Sequence, residues 1–290
     1  RLIGYPMILQ HHGSQPPTLR NTLKPNIIND IKELSKLRRE ALLRRVKGAI
    51  FVVNKAEKRY LEDILDVDAH VMIRTMAVDF DELKPPTCEE KAMLRRANNI
   101  LEDSIVLITY AGVFREELST LKGAHLIPKL WKDLKKEYGS KITLIVTGLT
   151  DYIAEKYREL GILAHKFLPH KEFLNLLKLS DVFFMLATKE YYGAGGAVTM
   201  MEALALGKPI VSPALIEYPE TEKIRHLGRL APYIITNDEK TYQQFLNSLL
   251  EALSNLNYFK ENTIRELAFK YYSWQSFVKD FKEALRKINQ

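Results

Sequence analysis

Short runs of β-branched and aromatic residues alternate along this chain with longer segments whose apolar residues recur every three to four positions. Such alternation is typical of βαβ units, in which successive strands lie parallel in one sheet and helices cover its faces. The pattern predicts strands at residues 6–10, 49–53, 70–74, 105–110, 142–147, 164–168, 182–187, 209–212 and 233–236. It predicts helices at 29–47, 55–65, 124–138, 152–160, 171–179, 197–206, 220–226 and 240–254, and two more near the end. The predicted fold class is therefore α/β.

A break at residues 79–87 (DFDELKPPT) divides this pattern, because two prolines interrupt both periodicities. About six strands follow the break, enough for a complete doubly wound parallel sheet. About three precede it, and three strands would leave a sheet edge uncovered. We therefore predict a complete domain at 85–290, preceded at 1–84 by the C-terminal part of a larger domain. A chain that begins at Arg1 and enters an apolar segment at once is expected to be N-terminally truncated.

Composition narrows the class of protein. The chain is 46% hydrophobic and 27% charged, as soluble globular proteins are, and its one cysteine, Cys88, excludes an internal disulfide and indicates a reducing compartment. No apolar run approaches the ~18 residues that a membrane span requires, and no secretory signal is visible. The sequence predicts a cytoplasmic protein.

Positive charge is concentrated near the start. Residues 1–60 carry 13 Lys and Arg against 4 Asp and Glu, whereas the whole chain has a net charge of +7. The densest part, residues 36–47 (KLRREALLRRVK), has helical periodicity. It could be a solvated helix face, or it could contact an anionic membrane surface or lipid-phosphate acceptor at the inner membrane face. Nucleic acid is disfavoured because no aromatic residue lies between the basic ones.

Residues 192–212 join a glycine-rich turn to a short apolar helix that carries one carboxylate, Glu202. Glycines allow a ligand to approach the backbone closely, and the N–H groups at a helix start bind anions. A carboxylate in the same helix could accept hydrogen bonds from a sugar diol. Together these features indicate a nucleotide-sugar, bound as a substrate and not as a cofactor. No metal is expected, because the sequence has no His/Cys or Asp-x-Asp cluster.

Several further segments, in this order, resemble the retaining GT-B glycosyltransferases of the glycogen synthase and mannosyltransferase type. They are 6–13 (PMILQHHG), 48–57 (GAIFVVNKAE), 110–123 (YAGVFREELSTLKG), 167–181 (FLPHKEFLNLLKLSD) and the loop and helix at 187–212. The resemblance implies a GT-B type fold: a complete C-terminal Rossmann-like domain, part of a second Rossmann-like domain before it, and a last helix that crosses back toward the first domain. It also implies metal-independent sugar transfer with retention.

The resemblance further implies roles for individual residues. Glu202 would hold the ribose hydroxyls, and Lys122 would neutralise the diphosphate leaving group. His12, with His11 as its competitor, would hydrogen-bond the donor sugar or the developing charge. The remaining nucleotide-sugar contacts would come largely from backbone groups, at Gly112, Leu168, Gly195, Gly196, Ala197, Val198 and Thr199. His170 would cap a helix or form a wall of the base pocket.

Two positions depart from the family pattern. Ala194 stands where the family has a first loop glutamate, and Val113 stands where it has a second cation. Glu190 and Arg115 are the candidate substitutes. Three hypotheses stay open: a glycosyltransferase with a lipid-linked or otherwise anionic acceptor, a non-catalytic nucleotide-sugar-binding relative, and a nucleotide-sugar epimerase on the same fold.

Overall fold

The structure is a computed structural model that describes residues 7–10, 42–53, 55–74, 76–113, 123–188, 198–213, 225–232, 234–235 and 238–288. These residues form two compact units. One contains the described residues up to 77 together with 274–288, and the other contains 78–188 and the described residues of 198–273. No helix in the described ranges is long and apolar enough to cross a membrane.

The strands and helices alternate along most of the chain. The strands are β1 (Met7–Gln10), β2 (Gly48–Val52), β3 (His70–Ile73), β4 (Ile105–Tyr110), β5 (Ile142–Leu149), β6 (Leu163–Lys166), β7 (Val182–Phe184), β8 (Ile210–Ser212) and β9 (Gly228–Leu230). The α-helices are α1 (Lys55–Arg59), α2 (Cys88–Ala97), α3 (Ile127–Tyr138), α4 (Asp151–Glu159), α5 (His170–Leu179), α6 (Val198–Ala205), α7 (Glu239–Ser254), α8 (Glu261–Tyr272) and α9 (Trp274–Ile288). A π-helical segment (Tyr60–Ile64) continues α1, and a 3-10 turn (Ala124–Leu126) precedes α3.

The first unit contains a three-stranded parallel sheet in the order β1-β2-β3. Its central strand β2 is buried on both faces, so its sequence is almost continuously apolar and not alternating. On one face Ile50 and Val52 pack with Leu61. On the other face Phe51 packs with Ala284 of α9 and meets Phe277 edge-on, at 6.0 Å between ring centroids. The final helix of the chain therefore covers this small sheet.

The second unit contains a six-stranded parallel sheet in the order β6-β5-β4-β7-β8-β9. The chain builds outward from β4 to β6 and then returns to the other side of β4 with β7. In a sheet of this topology, the point where the order reverses opens a crevice at the carboxyl ends of the strands. Helices begin at this edge with side-chain caps where the sequence supplies them, as at α4, where Thr150 accepts a hydrogen bond from the N–H of Ile153 (3.4 Å).

The predicted α/β fold class is confirmed, and β4 has the predicted bounds. One strand was predicted in the wrong place. The sixth strand of the large sheet is β9 at 228–230, and of the strand predicted at 233–236 the structure describes Ile234 and Ile235, of which Ile234 forms an isolated bridge with Thr188. Helix α2 was absent from the prediction. It begins with a side-chain N-cap, in which the Thr87 hydroxyl accepts a hydrogen bond from the N–H of Glu90 (3.1 Å).

Candidate functional site

A cavity of about 420 Å³ opens at the carboxyl ends of the large sheet. Three groups of residues surround it: the ends of β4 and β5, the loop and first turn that lead into α5, and the first turns of α6. The lining residues are Tyr110, Thr147, Gly148, Phe167, Leu168, His170, Phe173, Val198, Thr199 and Glu202. The volume is within the range of small-molecule sites, and the place is the crevice expected at the switch point of a doubly wound sheet.

Glycines at the ends of β4 and β5 let the two strands continue side by side into the cavity wall. The N–H of Ala111 donates to the carbonyl of Thr147 (2.9 Å), and the N–H of Val113 donates to the carbonyl of Gly148 (2.7 Å). Gly148 has φ +73°, and a Cβ added there would lie 2.6 Å from Cε2 of Tyr110 and 3.0 Å from the backbone nitrogen of Gly112. Only glycine fits this position without strain.

Aromatic rings form the apolar part of the wall. Tyr110 meets Phe167 and Phe173 edge-on, with centroid distances of 6.2 and 6.0 Å. Burial raises the pKa of Tyr110, so its hydroxyl, which is neutral at physiological pH in any case, stays protonated to higher pH. Phe167 is 40% exposed, so a flat ligand entering the cavity can reach its ring.

Glu202 is the one carboxylate among the described lining residues. It lies in the second turn of α6, and only 5% of its surface is exposed. Its Oε1 is 2.6 Å from Nε2 of His170 at the start of α5. Since a carboxylate can only accept, the His170 N–H is the donor.

The environment of Glu202 acts on its charge in two directions. Burial raises the pKa of the carboxyl, whereas the hydrogen bond and the charge interaction with His170 lower it, and burial is the larger effect. A partly desolvated carboxylate with spare acceptor capacity is a strong partner for hydroxyl groups, because its hydrogen bonds are charge-assisted.

The predicted site residues fall into two groups. Leu168, Val198, Thr199 and Glu202 line this one cavity, and Gly112 lies next to it against Gly148. The other predicted residues lie outside the described residues: His12, Arg115, Lys122, Glu190, Gly195, Gly196 and Ala197, as does Ala194. Val113, at the position where the resemblance predicted a positively charged side chain, is fully buried in the core.

Sequence reasoning assigned no function to Tyr110, Thr147, Gly148 or Phe173, all of which line the cavity. It assigned His170 to a cap or a wall. The start of α5 is preceded by Pro169, and no side chain caps it, whereas the His170 ring does form part of the wall. The glycine that directly follows an apolar strand run at 142–147 was the available signal for Gly148.

Within the described ranges no group of three or more His, Cys, Asp or Glu side chains could hold a metal ion. Of the described lining residues, Glu202 can accept hydrogen bonds from hydroxyl groups, and the N–H groups of Val198 and Thr199 at the start of α6 can donate to an anion.

Comparison with known proteins gives the family that the chain matches. The model of the family "Glycosyl transferases group 1" matches residues 91–266, which is more than half of the chain. A search of curated proteins found no match.

Solved structures resemble the fold at low sequence identity. Sucrose-phosphate synthase from Thermosynechococcus elongatus is 16% identical, with a TM-score of 0.67 over 97% of this chain and 67% of that one. A glycosyltransferase from Rickettsia africae ESF-5 is also 16% identical, with a TM-score of 0.67 over 98% and 70%. Anabaena Alr3699/HepE, solved in complex with UDP, is 16% identical, with a TM-score of 0.65 over 97% and 72%. At this identity the likeness shows the fold alone, which is of the GT-B type.

Proposed function

The chain belongs to the glycosyl transferases group 1 family, and we propose that it moves a sugar from a nucleotide-sugar donor to an acceptor, with retention at the anomeric carbon and without a metal ion. Membership of the family makes it a glycosyltransferase in general terms. The donor, the stereochemistry and the residues named below are the content of the proposal.

The observation that carries the proposal is the position of Glu202. It is a buried carboxylate, early in a helix, at the wall of a cavity at the switch point of the sheet. A ribose diol offers two adjacent hydroxyl donors, which suit a carboxylate with accepting capacity left over. The apolar wall at Tyr110 and Phe167 would take the base. Anabaena HepE, a structural neighbour solved with UDP, supports a nucleotide-containing ligand.

The diphosphate would lie against the start of α6. N–H groups at a helix start attract anions, and those of Gly195, Gly196, Ala197, Val198 and Thr199 are the proposed contacts. Lys122 and Arg115 would supply fixed positive charge. The described neighbour of Lys122 is Gly123, where an added Cβ would lie 2.8 Å from Leu186, just beyond the end of β7. That position supports a role for Lys122 at this edge of the sheet.

Transfer with retention would need little covalent chemistry from the protein. The acceptor would attack on the face from which the phosphate leaves, so positioning and stabilisation of the leaving phosphate would supply most of the rate enhancement. His12 and Glu190 are proposed to hydrogen-bond the transferred sugar. The basic segment at 36–47 favours an anionic or lipid-linked acceptor, and a peripheral contact with an anionic membrane surface.

A non-catalytic nucleotide-sugar-binding protein is the second candidate, because Val113 is buried with no exposed surface where the family pattern has a cation. An epimerase is less well supported. It would need several acidic groups around the sugar, and among the described lining residues only Glu202 is acidic.

Calorimetric titration with UDP-, GDP- and ADP-glucose tests donor binding. In Glu202→Ala we expect affinity for the bound donor to fall by about 1–3 kcal/mol, the value of hydrogen bonds to a charged group. Glu137→Ala, which removes an exposed carboxylate from α3, is the matched control and should bind as the wild type does. Equal affinity in Glu202→Ala and wild type would remove Glu202 from the site.

Turnover separates the two candidates. The complete protein, incubated with the donor that binds and with anionic or lipid-linked acceptors, should release the nucleoside diphosphate and form a product of retained configuration. Donor binding with no transfer to any acceptor would favour the non-catalytic protein, and no binding of any nucleotide-sugar would contradict both.

A further inference from the structure

His170 and Glu202 come from different helices and meet at the cavity wall. His170 is the first residue of α5, its side chain is 67% exposed, and its Nε2 lies 2.6 Å from Oε1 of a carboxylate that is 6% exposed. The two residues are 32 positions apart in the chain. An exposed ring thus reaches a buried acid at the place proposed for the donor ribose.

Other titratable and charged groups near α6 do not share this contact. No other residue of α6 carries a charge. Tyr110 of β4 lines the same cavity from another side. From α8, Arg265 donates to the carbonyl of Ala205 at the far end of α6, and Glu261 lies near Gly207 beyond it. Among the described residues, His170 is therefore the donor that meets the Glu202 carboxylate.

The hydrogen bond has two consequences for a ligand. It uses one lone pair of Oε1 and fixes the carboxylate plane, which leaves the second lone pair of Oε1 and the whole of Oε2, to which no described residue donates, as acceptors. It also opposes the effect of burial, which by itself would favour the neutral acid. A neutral acid would accept hydroxyl hydrogen bonds less strongly than a carboxylate.

We propose that His170 is a positioning residue for donor recognition. Its Nε2–H orients the Glu202 carboxylate so that the carboxylate can accept hydrogen bonds from the two ribose hydroxyls. This inference rests on the proposed function, since it assumes that Glu202 meets the ribose. It assigns to His170 an action through Glu202 and no contact with the reacting atoms.

The first test measures nucleoside diphosphate affinity against pH. UDP, GDP and ADP are titrated into the wild type, and the affinity of the one that binds is then measured over a pH series from acid to neutral. In His170→Ala we expect affinity near neutral pH to fall about five- to tenfold, as for an exposed charge-assisted hydrogen bond. The loss of affinity on acidification should also begin at a higher pH than in the wild type.

Two further variants separate positioning from a structural role. His170→Gln keeps an N–H donor at a similar reach, so it should recover most of the affinity lost in His170→Ala. His226→Ala removes a histidine that stacks on Tyr258, with 5.9 Å between ring centroids, and lies outside the cavity lining. It should leave both affinity and its pH dependence unchanged. If affinity falls over the same acidic pH range in His170→Ala and in the wild type, the inference is overturned.

A second measurement needs no ligand. The side-chain carboxyl of Glu202 is titrated by NMR in ¹³C-glutamate-labelled protein, with the signal assigned by its loss in Glu202→Gln. In His170→Ala the titration should move to higher pH. If it does not move while the wild type binds a nucleotide, the inference fails and the proposed function stands. If the titration moves but no nucleotide binds the wild type, the proposed function fails, and with it the role of His170 in donor recognition.

Discussion

Two carboxylates at opposite ends of the large sheet differ in how fully they are hydrogen-bonded. Asp181, immediately before β7, accepts hydrogen bonds from Lys91 Nζ (2.6 Å), Arg95 Nη2 (2.8 Å) and the N–H of Val106 (2.7 Å). Among the described residues, the donor to Glu202, at the carboxyl end of the sheet, is His170 (2.6 Å). Glu202 is nevertheless the more deeply buried of the two.

The difference indicates what each carboxylate does. A carboxylate whose acceptor capacity is filled by the protein has none left for a ligand, and its role is to hold elements together. A buried carboxylate with a single donor, placed beside a cavity, costs stability unless a ligand supplies further donors. Within the described part of the chain, Asp181 thus serves stability, whereas Glu202 keeps hydrogen-bonding capacity that the proposed donor would use.

Arg95→Ala should have the largest effect on stability. The Arg95 guanidinium is almost fully buried and also donates to the carbonyls of Leu179 (3.1 Å), Glu102 (2.6 Å) and Ser104 (3.0 Å). Its removal takes away one of the three donors to Asp181 and the Arg95 donor to these carbonyls, all in a buried setting. We therefore expect the free energy of unfolding to fall by about 3–5 kcal/mol. Urea denaturation followed by circular dichroism measures the change.

The neighbouring residue provides the control for this variant. Arg96 is 65% exposed and pairs with Glu102 at 3.3 Å. Arg96→Ala removes the same kind of side chain from the same helix and should cost less than about 0.5 kcal/mol. Equal losses in the two variants would mean that the Asp181 network adds nothing to stability, and the contrast between the two ends of the sheet would fail.

Lys208→Met should raise the free energy of unfolding by a moderate amount, whereas Arg95→Ala lowers it. Lys208 is 4% exposed, and its Nζ donates to the carbonyl of Lys178 (3.0 Å). Burial, and secondly the charge of Lys91, lower the pKa of Lys208 to about 8. Because the folded-state pKa is below the usual 10.5, the charged form is disfavoured on folding, and stability is lost as pH falls from 10.5 through 8.

Replacing Lys208 with an uncharged side chain of similar length should therefore stabilise the protein at pH 7, by about 1–2 kcal/mol after loss of the hydrogen bond. The advantage should shrink toward about pH 10, where the wild-type amine is neutral. Unfolding free energies at the two pH values measure this, with the exposed Lys171→Met as control. If Lys208→Met is less stable than the wild type at pH 7, the charged lysine stabilises the amino end of the sheet through its hydrogen bond to the carbonyl of Lys178.

The fold could be predicted where a strand is buried on both faces, because such a strand has a continuous apolar sequence. Strand β4 is enclosed on both faces, so its apolar run has the same bounds as the strand. Strand β9 is only three residues, GRL, and Leu230 is 40% exposed, so it has no such run. The β-branched pair Ile234 and Ile235 was the stronger local signal, but of these Ile234 makes only an isolated bridge in the described part of the chain.

The candidate site could be predicted only in part, for a different reason. The position of Glu202 in a helix after a glycine-rich turn is a local feature, which spacing reveals. The contact between His170 and Glu202 depends on how two helices that follow different strands approach each other, and no local period encodes that. Likewise the fit of Gly148 against Tyr110 depends on the register of β4 and β5.

Glu202→Gln should have the smallest effect on stability, and its sign is the sharpest test of the comparison. Burial raises the pKa of Glu202 in the folded protein above its usual value. The neutral acid is thus favoured on folding, so its contribution to stability is full below the usual pKa and is lost as pH rises through the folded-state pKa. Near neutral pH a neutral amide should therefore be as stable as the wild type, or more stable by up to about 1 kcal/mol.

This stability difference should vanish below about pH 4, where the wild-type carboxyl is protonated in both states. Thermal or urea unfolding at the two pH values measures it, with Glu137→Gln, an exposed substitution on α3, as the control expected to change nothing. If Glu202→Gln instead lost stability on the scale expected for Arg95→Ala, Glu202 would be a structural carboxylate like Asp181. Since a structural carboxylate has no acceptor capacity to offer a ligand, that result would remove the physical basis for a donor site at the start of α6.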